Sequence, residues 1–260
     1  MKAIACVKIG GAAIDAPGLL AEFCNGIKIL QSSGVFPVVI HGGGKDIGRQ
    51  LATLDKQFSF VEGMRVTDEE TMQTVQMVLS GDVNKRIVNN LLTGGVRAIG
   101  ISGVDAGLFE ARKLIVNHQD IGFVGTIAHV DTTIIDMCRE KDIIPVVSPV
   151  SRGSDGQFYN VNADVAASDL AQALRADHLV FISDVNGVLI DGEVKHEIRI
   201  NEIESLAEKQ HVTGGMLPKL RSAAQAVKSG VGSVHICGWH GQQTLTEELD
   251  LSIASGTIIH

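Results

Sequence analysis

Short runs of apolar residues alternate along the chain with longer segments in which apolar residues recur every three or four positions. Runs of the first kind have the length of buried β-strands, and segments of the second kind have the spacing of amphipathic helices. The pattern predicts strands over residues 4–9, 35–40, 96–102, 143–148, 179–183 and 233–237. It predicts helices over residues 18–33, 46–54, 67–79, 83–92, 132–141, 163–174, 203–208 and 218–230.

This alternation also predicts a fold class. Strands that are apolar throughout are typical of a mainly parallel sheet covered by helices on both faces, and ligands bind beyond the carboxyl ends of its strands. Polar stretches at residues 57–62, 117–129 and 152–160 predict hairpins or flaps. A new strand–helix series begins after residue 174, so we expect two lobes, residues 1–175 and 176–260.

Composition narrows the classes of function. The 22 basic and 30 acidic residues give a formal charge of −8, which disfavours non-specific binding to nucleic acid because such binding needs a basic surface. No apolar run reaches the roughly 18 to 20 residues that cross a bilayer, and the first residues do not resemble a secretion signal. The four cysteines are widely spaced, which favours buried side chains over a zinc or redox site. We therefore expect a cytoplasmic protein.

Three glycine-rich elements follow strands or open helices. Glycine lets the backbone approach a ligand closely, and N–H groups at a helix start bind anions. The elements are Lys8-Ile9-Gly10-Gly11, His41-Gly42-Gly43-Gly44 and Thr213-Gly214-Gly215-Met216-Leu217-Pro218-Lys219. They match neither a Walker A loop nor a dinucleotide fingerprint, and the sequence has no Gly-x-Ser-x-Gly hydrolase motif. The pattern predicts an anion site outside these families.

A few charged residues lie at positions that structure alone explains poorly. Lys8 ends an apolar strand, and Lys219 opens a helix, where a lysine opposes the helix dipole. Each could also be an ordinary strand-end or surface lysine. Asp164 starts a helix, where capping would explain it, and Arg65 is either a carboxylate clamp or a loop arginine. Two lysines, an aspartate able to hold both, and glycine amides together favour a phosphoryl-transfer site.

Six motifs in a fixed order resemble those of a known family. They are Lys8-x-Gly-Gly, His41-Gly-Gly-Gly, Gly-Met-Arg65-Val-Thr, Asn160-Val-Asn-Ala-Asp164, Ser183-Asp-Val and Gly214-Gly-Met-Leu-Pro-Lys219. Over essentially the whole chain the set resembles the amino acid kinase family. Within that family, the third, fourth and sixth motifs are most similar to the N-acetyl-L-glutamate kinase branch of arginine biosynthesis.

The resemblance implies a three-layer αβα sandwich around a mainly parallel open sheet. The N-terminal lobe would bind the acyl amino acid and form the dimer surface. The C-terminal lobe would bind ATP, with Mg²⁺ carried by the ATP oxygens rather than by the protein. The implied reaction transfers the γ-phosphoryl group of ATP to N-acetyl-L-glutamate and gives N-acetyl-L-glutamyl 5-phosphate.

The resemblance also implies a role for each matching residue. Lys8 would stabilise the transferring phosphoryl group, Lys219 the leaving-group side, and Asp164 would fix both ammonium groups. The implied substrate-binding residues are Gly43, Gly44, Arg65 and Asn160, with Arg65 pairing the α-carboxylate. The implied ATP-binding residues are Gly10, Gly11, Asp184, Val185, Asn186, Gly187, Val188, Leu189, His211, Val212 and Thr213.

Two features depart from this branch. The last apolar strand runs into Cys237-Gly238-Trp239-His240, where relatives often have Asp-Gly-Arg. Lys8 lies almost at the start, without the N-terminal helix of arginine-regulated members, so we expect a homodimer that arginine does not inhibit through that helix. Residues 68–92 would supply the dimer surface, although the apolar residues Met72, Val75, Val78 and Leu79 could equally be core. Control by a PII-type signal protein stays open.

Two alternative functions also stay open. Phosphorylation of N-acetyl-L-2-aminoadipate, or of a carrier-protein-linked form, would need a pocket that differs by one methylene, which is worth only ~1–3 kcal/mol. A non-catalytic nucleotide or amino-acid sensor on the same fold is expected to lack Lys8, Asp164 or Lys219, and all three are present.

Overall fold

The chain forms two compact units. The computed structural model describes residues 2–11, 14, 16–208, 212, 216–250 and 253–260. Unit 1 contains Met1–Val38 and Ala167–His260, and unit 2 contains Val39–Ala166. The division differs from the lobes predicted at residues 1–175 and 176–260, since the first 38 residues belong with the C-terminal part of the chain.

Strands and helices alternate along most of the chain, as the apolar pattern predicts. The strands are β1 (Ala3–Ile9), β2 (Val35–His41), β3 (Phe60–Val61), β4 (Met64–Arg65), β5 (Ala98–Ser102), β6 (Phe109–Val116), β7 (Gln119–Val130), β8 (Ile144–Ser148), β9 (Val150–Gly153), β10 (Phe158–Val161), β11 (His178–Ile182), β12 (Leu189–Ile190), β13 (Glu193–Val194), β14 (Glu197–Ile198), β15 (Ser233–Cys237) and β16 (Thr257–Ile259). The α-helices are α1 (Pro17–Ser32), α2 (Gly44–Thr53), α3 (Glu69–Gln76), α4 (Asn84–Thr93), α5 (Thr133–Glu140), α6 (Ala163–Leu174), α7 (Ile203–Glu208), α8 (Met216–Lys228) and α9 (Thr244–Leu249).

Unit 1 is built on a mainly parallel arrangement of strands. They pair in the order β14-β16-β15-β11-β1, and β15 with β16 is an antiparallel pair. β1 pairs in parallel with β11, and β11 with β15, over runs of apolar residues. Because β1 lies beside β11, the N-terminal strand belongs to the same unit as the C-terminal part of the chain. Phe23 of α1 and Phe181 of β11 are fully buried, which contributes roughly 1.5–3 kcal/mol for each ring.

Unit 2 combines parallel strands with a small barrel. β8 pairs in parallel with β5 and with the end of β2. Strands β6, β7, β9 and β10 close on one another as a four-stranded barrel. The sequence predicted flaps at residues 117–129 and 152–160, and these lie within β7 and the β9–β10 hairpin. Along β6, Phe109 and Ala111 are buried while Glu110 and Arg112 are exposed, the two-residue period of a strand with one solvent face.

A continuous helical segment of unit 2 contains an irregular turn. α3 begins after Asp68, whose Oδ1 accepts a hydrogen bond from the N–H of Thr71 at 2.8 Å, the usual N-cap contact. Between α3 and α4, Met77–Val83 forms a π-helix, the wider turn in which an N–H bonds the carbonyl five residues earlier. The four apolar residues Met72, Val75, Val78 and Leu79 are buried within the chain and are core.

The fold confirms the predicted α/β class with a mainly parallel sheet. The four cysteines are thiols that form no disulfide, and all four are buried, as their apolar surroundings predicted. In the part of the chain that the structure describes, every helix is too short or too polar to span a membrane.

Candidate functional site

The turn after β1 brings a lysine and two glycines together. Lys8 is half-buried, and a Cβ placed on Gly10 would lie 3.0 Å from its Nζ. The ammonium group therefore lies over the backbone of Gly10, where any side chain would displace it. Gly11 follows with φ of 59°, a conformation that glycine adopts without strain.

The turn after β11 lies beside the turn after β1. A Cβ placed on Gly11 would lie 3.0 Å from Oδ1 of Asp184, so this carboxylate lies against the Gly11 backbone. The turn after β15 also joins them, because a Cβ placed on Gly238 would lie 2.5 Å from Oδ1 of Asn186. Three parallel strands of unit 1 thus bring their carboxyl ends to one edge, the usual place of a ligand in such sheets.

Phe181 relates the two lysines that the sequence singled out. In the pairing of β1 with β11, Lys8 is opposite Phe181. Side chains at paired positions point to the same face of a sheet, so Lys8 and Phe181 share a face. Nζ of Lys219, in the first turn of α8, lies 5.6 Å from the centre of the Phe181 ring, within the range of a cation–π contact. The structure therefore brings both lysines to one face of the sheet in unit 1.

The predicted nucleotide segment follows β11 in unit 1. Its residues are Asp184, Val185, Asn186, Gly187, Val188 and Leu189. Thr257 anchors it, because Oγ1 of Thr257 accepts a hydrogen bond from the N–H of Val188 at 2.8 Å. Val188 is buried, whereas Val185 and Leu189 are 38% and 50% exposed and present apolar surface. Val212 is buried, and His211 and Thr213 lie outside the described residues.

The second glycine-rich element links a strand to a helix in unit 2. β2 ends at His41 and α2 begins at Gly44, so the N–H groups of the first helical turn follow the strand directly. Gly43 has φ of 153°, and a Cβ there would lie 2.6 Å from Cδ2 of Leu79. A Cβ on Gly44 would meet no heavy atom of the described residues within 4 Å. One side of this loop is therefore closely packed, and the other has room for a ligand.

A buried polar pair supports this loop. His41 is fully buried, its Nδ1 lies 2.8 Å from the carbonyl oxygen of Gly42, and its Nε2 lies 3.2 Å from Nδ2 of Asn84. A carbonyl can only accept, so Nδ1 carries the proton and Nε2 accepts from the amide. The same amide donates to the carbonyl of Val146 at 2.9 Å. Burial lowers the pKa of His41 to about 4, which keeps the ring neutral near pH 7.

Arg65 reaches the glycine loop from the short hairpin β3–β4. Its Nη2 donates a hydrogen bond to the carbonyl of Gly44 at 2.9 Å, and its side chain is 8% exposed. Cζ of Arg65 lies 4.1 Å from the centre of the Phe58 ring and 4.9 Å from that of Phe60. The Nη1 atom is buried and has no hydrogen-bond partner among the described residues. A buried guanidinium with an unused donor suits a carboxylate, which satisfies that donor with a charge-assisted hydrogen bond.

Thr67 connects Arg65 with Asn160. Nδ2 of Asn160 lies 3.2 Å from Oγ1 of Thr67, and that hydroxyl donates to the carbonyl of Arg65 at 2.7 Å. Thr67 is fully buried, and both its N–H and its carbonyl form backbone hydrogen bonds with β7. The structure thus brings together Gly44, Arg65 and Asn160, three of the four residues predicted to bind the acyl substrate, with Gly43 adjacent in the loop.

Asn162, rather than Asp164, caps α6. Oδ1 of Asn162 accepts hydrogen bonds from the N–H groups of Asp164 at 2.7 Å and Val165 at 3.3 Å. Capping therefore does not explain the presence of Asp164, whose carboxylate lies in the first turn of the helix, near its positive end. The role predicted for it with the two lysines stays a prediction.

Four contacting residues were missed from sequence. Thr67 lies inside one of the six motifs but has no predicted role, and Phe181 is one apolar position of a predicted strand. Phe58 and Phe60 lie in a stretch read as a polar flap, although two aromatic residues at alternate positions were a visible signal of a strand with a shared face. Among the described residues, no three His, Cys, Asp or Glu side chains are grouped as a metal site would need.

Comparison with known proteins places these residues in a family context. The sequence profile of the amino acid kinase family matches residues 4–238. The chain is 40% identical over 264 residues to an acetylglutamate kinase of Alkalilimnicola ehrlichii. The alignment covers 97% of this chain and 87% of that protein. It is 42% identical over 261 residues to an acetylglutamate kinase of Methylobacillus flagellatus, with coverage of 97% and 89%.

A solved structure is similar over nearly the whole chain. It is the N-acetylglutamate synthase of Neisseria gonorrhoeae in complex with coenzyme A and N-acetyl-glutamate, with a TM-score of 0.87 and 25% identity. The match covers 99% of this chain and 59% of the synthase chain, so this protein spans about three-fifths of that enzyme.

Proposed function

The chain belongs to the amino acid kinase family, and we propose that it transfers the γ-phosphoryl group of ATP to the γ-carboxylate of N-acetyl-L-glutamate. The observation that carries the proposal is the 40–42% identity, over 97% of the chain, to proteins named acetylglutamate kinase. The product would be N-acetyl-L-glutamyl 5-phosphate, an activated acyl group formed in arginine biosynthesis.

Unit 1 supplies the residues for the phosphoryl donor. Lys8 and Lys219 lie on the face of the sheet that Phe181 marks, and a triphosphate is the ligand that two such cations suit. The exposed apolar side chains of Val185 and Leu189 would contact the base of ATP. Mg²⁺ would arrive on the ATP oxygens and neutralise part of their charge.

Unit 2 supplies the residues for the acyl acceptor. Arg65 would pair with the α-carboxylate through the buried Nη1, and Asn160 would bind a polar group of the acyl amino acid. The open side of Gly44 would let the ligand approach the backbone. These groups leave the γ-carboxylate of the substrate as the nucleophile.

The reaction needs alignment more than proton transfer. A carboxylate oxygen of the acceptor forms a bond to the γ-phosphorus, the bond from that phosphorus to the β–γ bridging oxygen breaks, and the electron pair leaves with ADP. The nucleophile is already ionised near pH 7, so no strong base is required. Lys8 would stabilise charge on the transferring group and Lys219 charge on the leaving side, in line with the role of positioned cations in phosphoryl transfer.

The assembly and location of the protein are also proposals. On the helical segment 69–93, Met77 and Leu92 are 62% and 52% exposed, and two such apolar side chains would suit a homodimer surface. The cytoplasmic location and the independence from arginine that the sequence predicted stay predictions.

A parallel assay tests the proposal. The purified protein is incubated with MgATP and one of four acceptors: N-acetylglutamate, N-acetyl-2-aminoadipate, glutamate or aspartate. Formation of the acyl phosphate is followed as hydroxamate, and release of ADP by a coupled assay. We expect N-acetylglutamate to have the highest kcat/KM. Preference for N-acetyl-2-aminoadipate would assign the protein to the homologous acceptor instead, and binding of ATP without ADP release from any acceptor would favour a sensor.

A further inference from the structure

Two exposed phenylalanines lie against the most buried cation of unit 2. Phe58 and Phe60 are 41% and 54% exposed, a high fraction for such large apolar side chains. Their rings are 5.8 Å apart at an interplanar angle of 83°, which is the edge-to-face arrangement. Because much of each side chain is exposed, packing in the apolar core does not explain why phenylalanine occurs at these two positions.

The geometry relates both rings to one guanidinium group. Phe60 is paired with Arg65 across the β3–β4 hairpin, so its ring shares a face with the Arg65 side chain. Phe58 approaches from the preceding segment, and its Cζ would lie 3.4 Å from a Cβ placed on Gly48 of α2. The centres of the two rings lie 4.1 Å and 4.9 Å from Cζ of Arg65, both within the range of a cation–π contact.

The guanidinium group of Arg65 has three kinds of surroundings: aromatic rings, a backbone carbonyl and a buried side without a hydrogen-bond partner among the described residues. The two ring centres lie 4.1 Å and 4.9 Å from Cζ of Arg65 and 5.8 Å from each other, so the rings occupy two adjacent sides of the guanidinium group rather than its two opposite faces. Nη2 at one edge donates to the carbonyl of Gly44, which fixes the rotation of the group in its own plane. The remaining donor, Nη1, is buried without a hydrogen-bond partner among the described residues. The group is thus restrained by the two rings and by one hydrogen bond, and its Nη1 donor is left for a ligand.

We propose that Phe58 and Phe60 are positioning residues that hold the Arg65 guanidinium in the orientation needed to bind the α-carboxylate of the acceptor. The inference rests on the proposed function for the identity of that carboxylate. Bidentate pairing with a carboxylate is strongly directional, so a guanidinium that rotates loses affinity without losing its charge. An aromatic face restrains it without neutralising it, whereas a carboxylate in the same place would compete with the ligand.

The test replaces each ring while keeping its apolar bulk. Phe58→Leu, Phe60→Leu and the double variant are compared with Phe60→Tyr, which keeps an aromatic ring at a position that is 54% exposed. Leu54→Ala serves as a matched control, since Leu54 is likewise exposed, at 49%, directly after α2. Thermal unfolding of every variant checks that the fold is retained.

Two ligands separate orientation of Arg65 from a general effect on the pocket. N-acetylglutamate carries the α-carboxylate, and 4-acetamidobutanoate is the same molecule without it. We expect each leucine variant to raise the KM and the calorimetric Kd for N-acetylglutamate about threefold to tenfold, and the double variant to raise them further. The kcat, the KM for ATP and the inhibition constant of 4-acetamidobutanoate should stay within about twofold of wild type. Phe60→Tyr and Leu54→Ala should resemble wild type.

Several results would overturn the inference. An unchanged affinity for N-acetylglutamate in the double variant would show that the rings do not orient Arg65. Equal weakening of both ligands would show that the rings contact another part of the acceptor. A wild-type protein that binds N-acetylglutamate without phosphorylating it would refute the proposed function alone, because the affinity comparison would still decide the role of the rings. A wild-type protein that does not bind it would refute both.

Discussion

Lys219 in unit 1 and Arg65 in unit 2 both lie over phenylalanine rings, but the two contacts differ in what they hold fixed. Lys219 lies 5.6 Å from the centre of a fully buried ring, at the end of a long flexible side chain. Arg65 is itself buried, lies within 5 Å of two exposed rings and also bonds to a backbone carbonyl. The first contact restrains the position of the Lys219 ammonium group. The second set of contacts restrains the orientation of the planar Arg65 guanidinium group.

This difference matches two kinds of ligand. A phosphoryl group changes its distance to both neighbouring oxygens as it moves, and a lysine ammonium can follow it because its three donors have no fixed plane. A carboxylate that only anchors the acceptor does not move, and a fixed guanidinium binds it with geometric specificity. The surroundings of the two cations therefore suit them to different ligands, the lysine to a moving phosphoryl group and the arginine to a fixed carboxylate.

Substitution of the two lysines of unit 1 should lower the turnover more than any other change proposed for this protein. Lys8→Ala and Lys219→Ala should each lower kcat about 10²-fold or more, because each removes a cation that would stabilise charge in the transition state. The free energy of unfolding should change little, since neither side chain is part of the apolar core. Steady-state kinetics and urea denaturation measure the two quantities. Lys228→Ala, an exposed lysine at the other end of α8, is the matched control and should keep wild-type turnover. Near-wild-type turnover in Lys8→Ala or Lys219→Ala would show that the assigned role is wrong.

The next prediction tests whether unit 2 depends on buried polar support. Asn84→Ala would leave the carbonyl of Val146 and the Nε2 of His41 without their donor inside the protein. We expect a loss of about 2 kcal/mol in the free energy of unfolding, the usual cost of unpaired buried polar groups. Urea denaturation measures it, and Asn89→Ala, at an exposed position of the same helix, should cost much less. Equal stability of the two variants would contradict the importance of this support.

Acid should weaken the same support. The pKa of His41 is about 4 in the folded chain because of burial, against about 6.5 when unfolded, so the unfolded state binds more protons between these values. The stabilising contribution of neutral His41 is therefore complete above pH 6.5 and is lost as the pH falls toward 4, by about 2 kcal/mol at pH 5. His41→Gln should flatten the dependence of unfolding free energy on pH between 7 and 5. His129→Gln, at an exposed position, should leave the slope of the wild type, and an identical slope in His41→Gln would contradict the assignment.

A substitution of Phe181, with a smaller expected effect, tests the difference between the Lys219 and Arg65 contacts. Phe181→Leu keeps a buried apolar side chain but removes the π face under Lys219, a contact worth roughly 0.5–1 kcal/mol. We expect kcat to fall about twofold to fivefold, with little change in the KM for the acceptor. The Phe58 and Phe60 substitutions should show the opposite division between kcat and KM. If all three substitutions changed the same constant, the distinction between a point charge and a fixed fork would fail.

What the sequence revealed depended on how local the signal was. The strands β1 and β2, which end at Ile9 and His41, and the glycines after them were predicted correctly because apolar runs and glycine turns are short-range signals. The barrel strand β6 was missed, because half of its side chains face solvent and its pairing with β9 joins segments far apart in sequence. The division into units was predicted differently for the same reason, since the contact of β1 with β11 joins positions more than 170 residues apart.

The candidate site shows the same limit. The motifs identified Arg65 and Asn160, but the hydroxyl of Thr67 that connects them could be assigned only from the fold. From sequence, capping would explain Asp164, but the hydrogen bond from the N–H of Asp164 to Oδ1 of Asn162 shows that Asn162 is the cap of α6. Phe58 and Phe60 looked like part of a polar flap, because the guanidinium against which they pack comes from the other strand of the hairpin.

The π-helix at Met77–Val83 sets the phase of everything that follows it in the helical segment. Each residue added to or removed from a helix turns the remainder by about 100° about its axis. Insertion of one further residue between Met77 and Val83 would rotate α4 by about that angle and carry Asn84 away from the ring of His41. Natural variants of this chain should therefore keep the length of this stretch even where they change its letters.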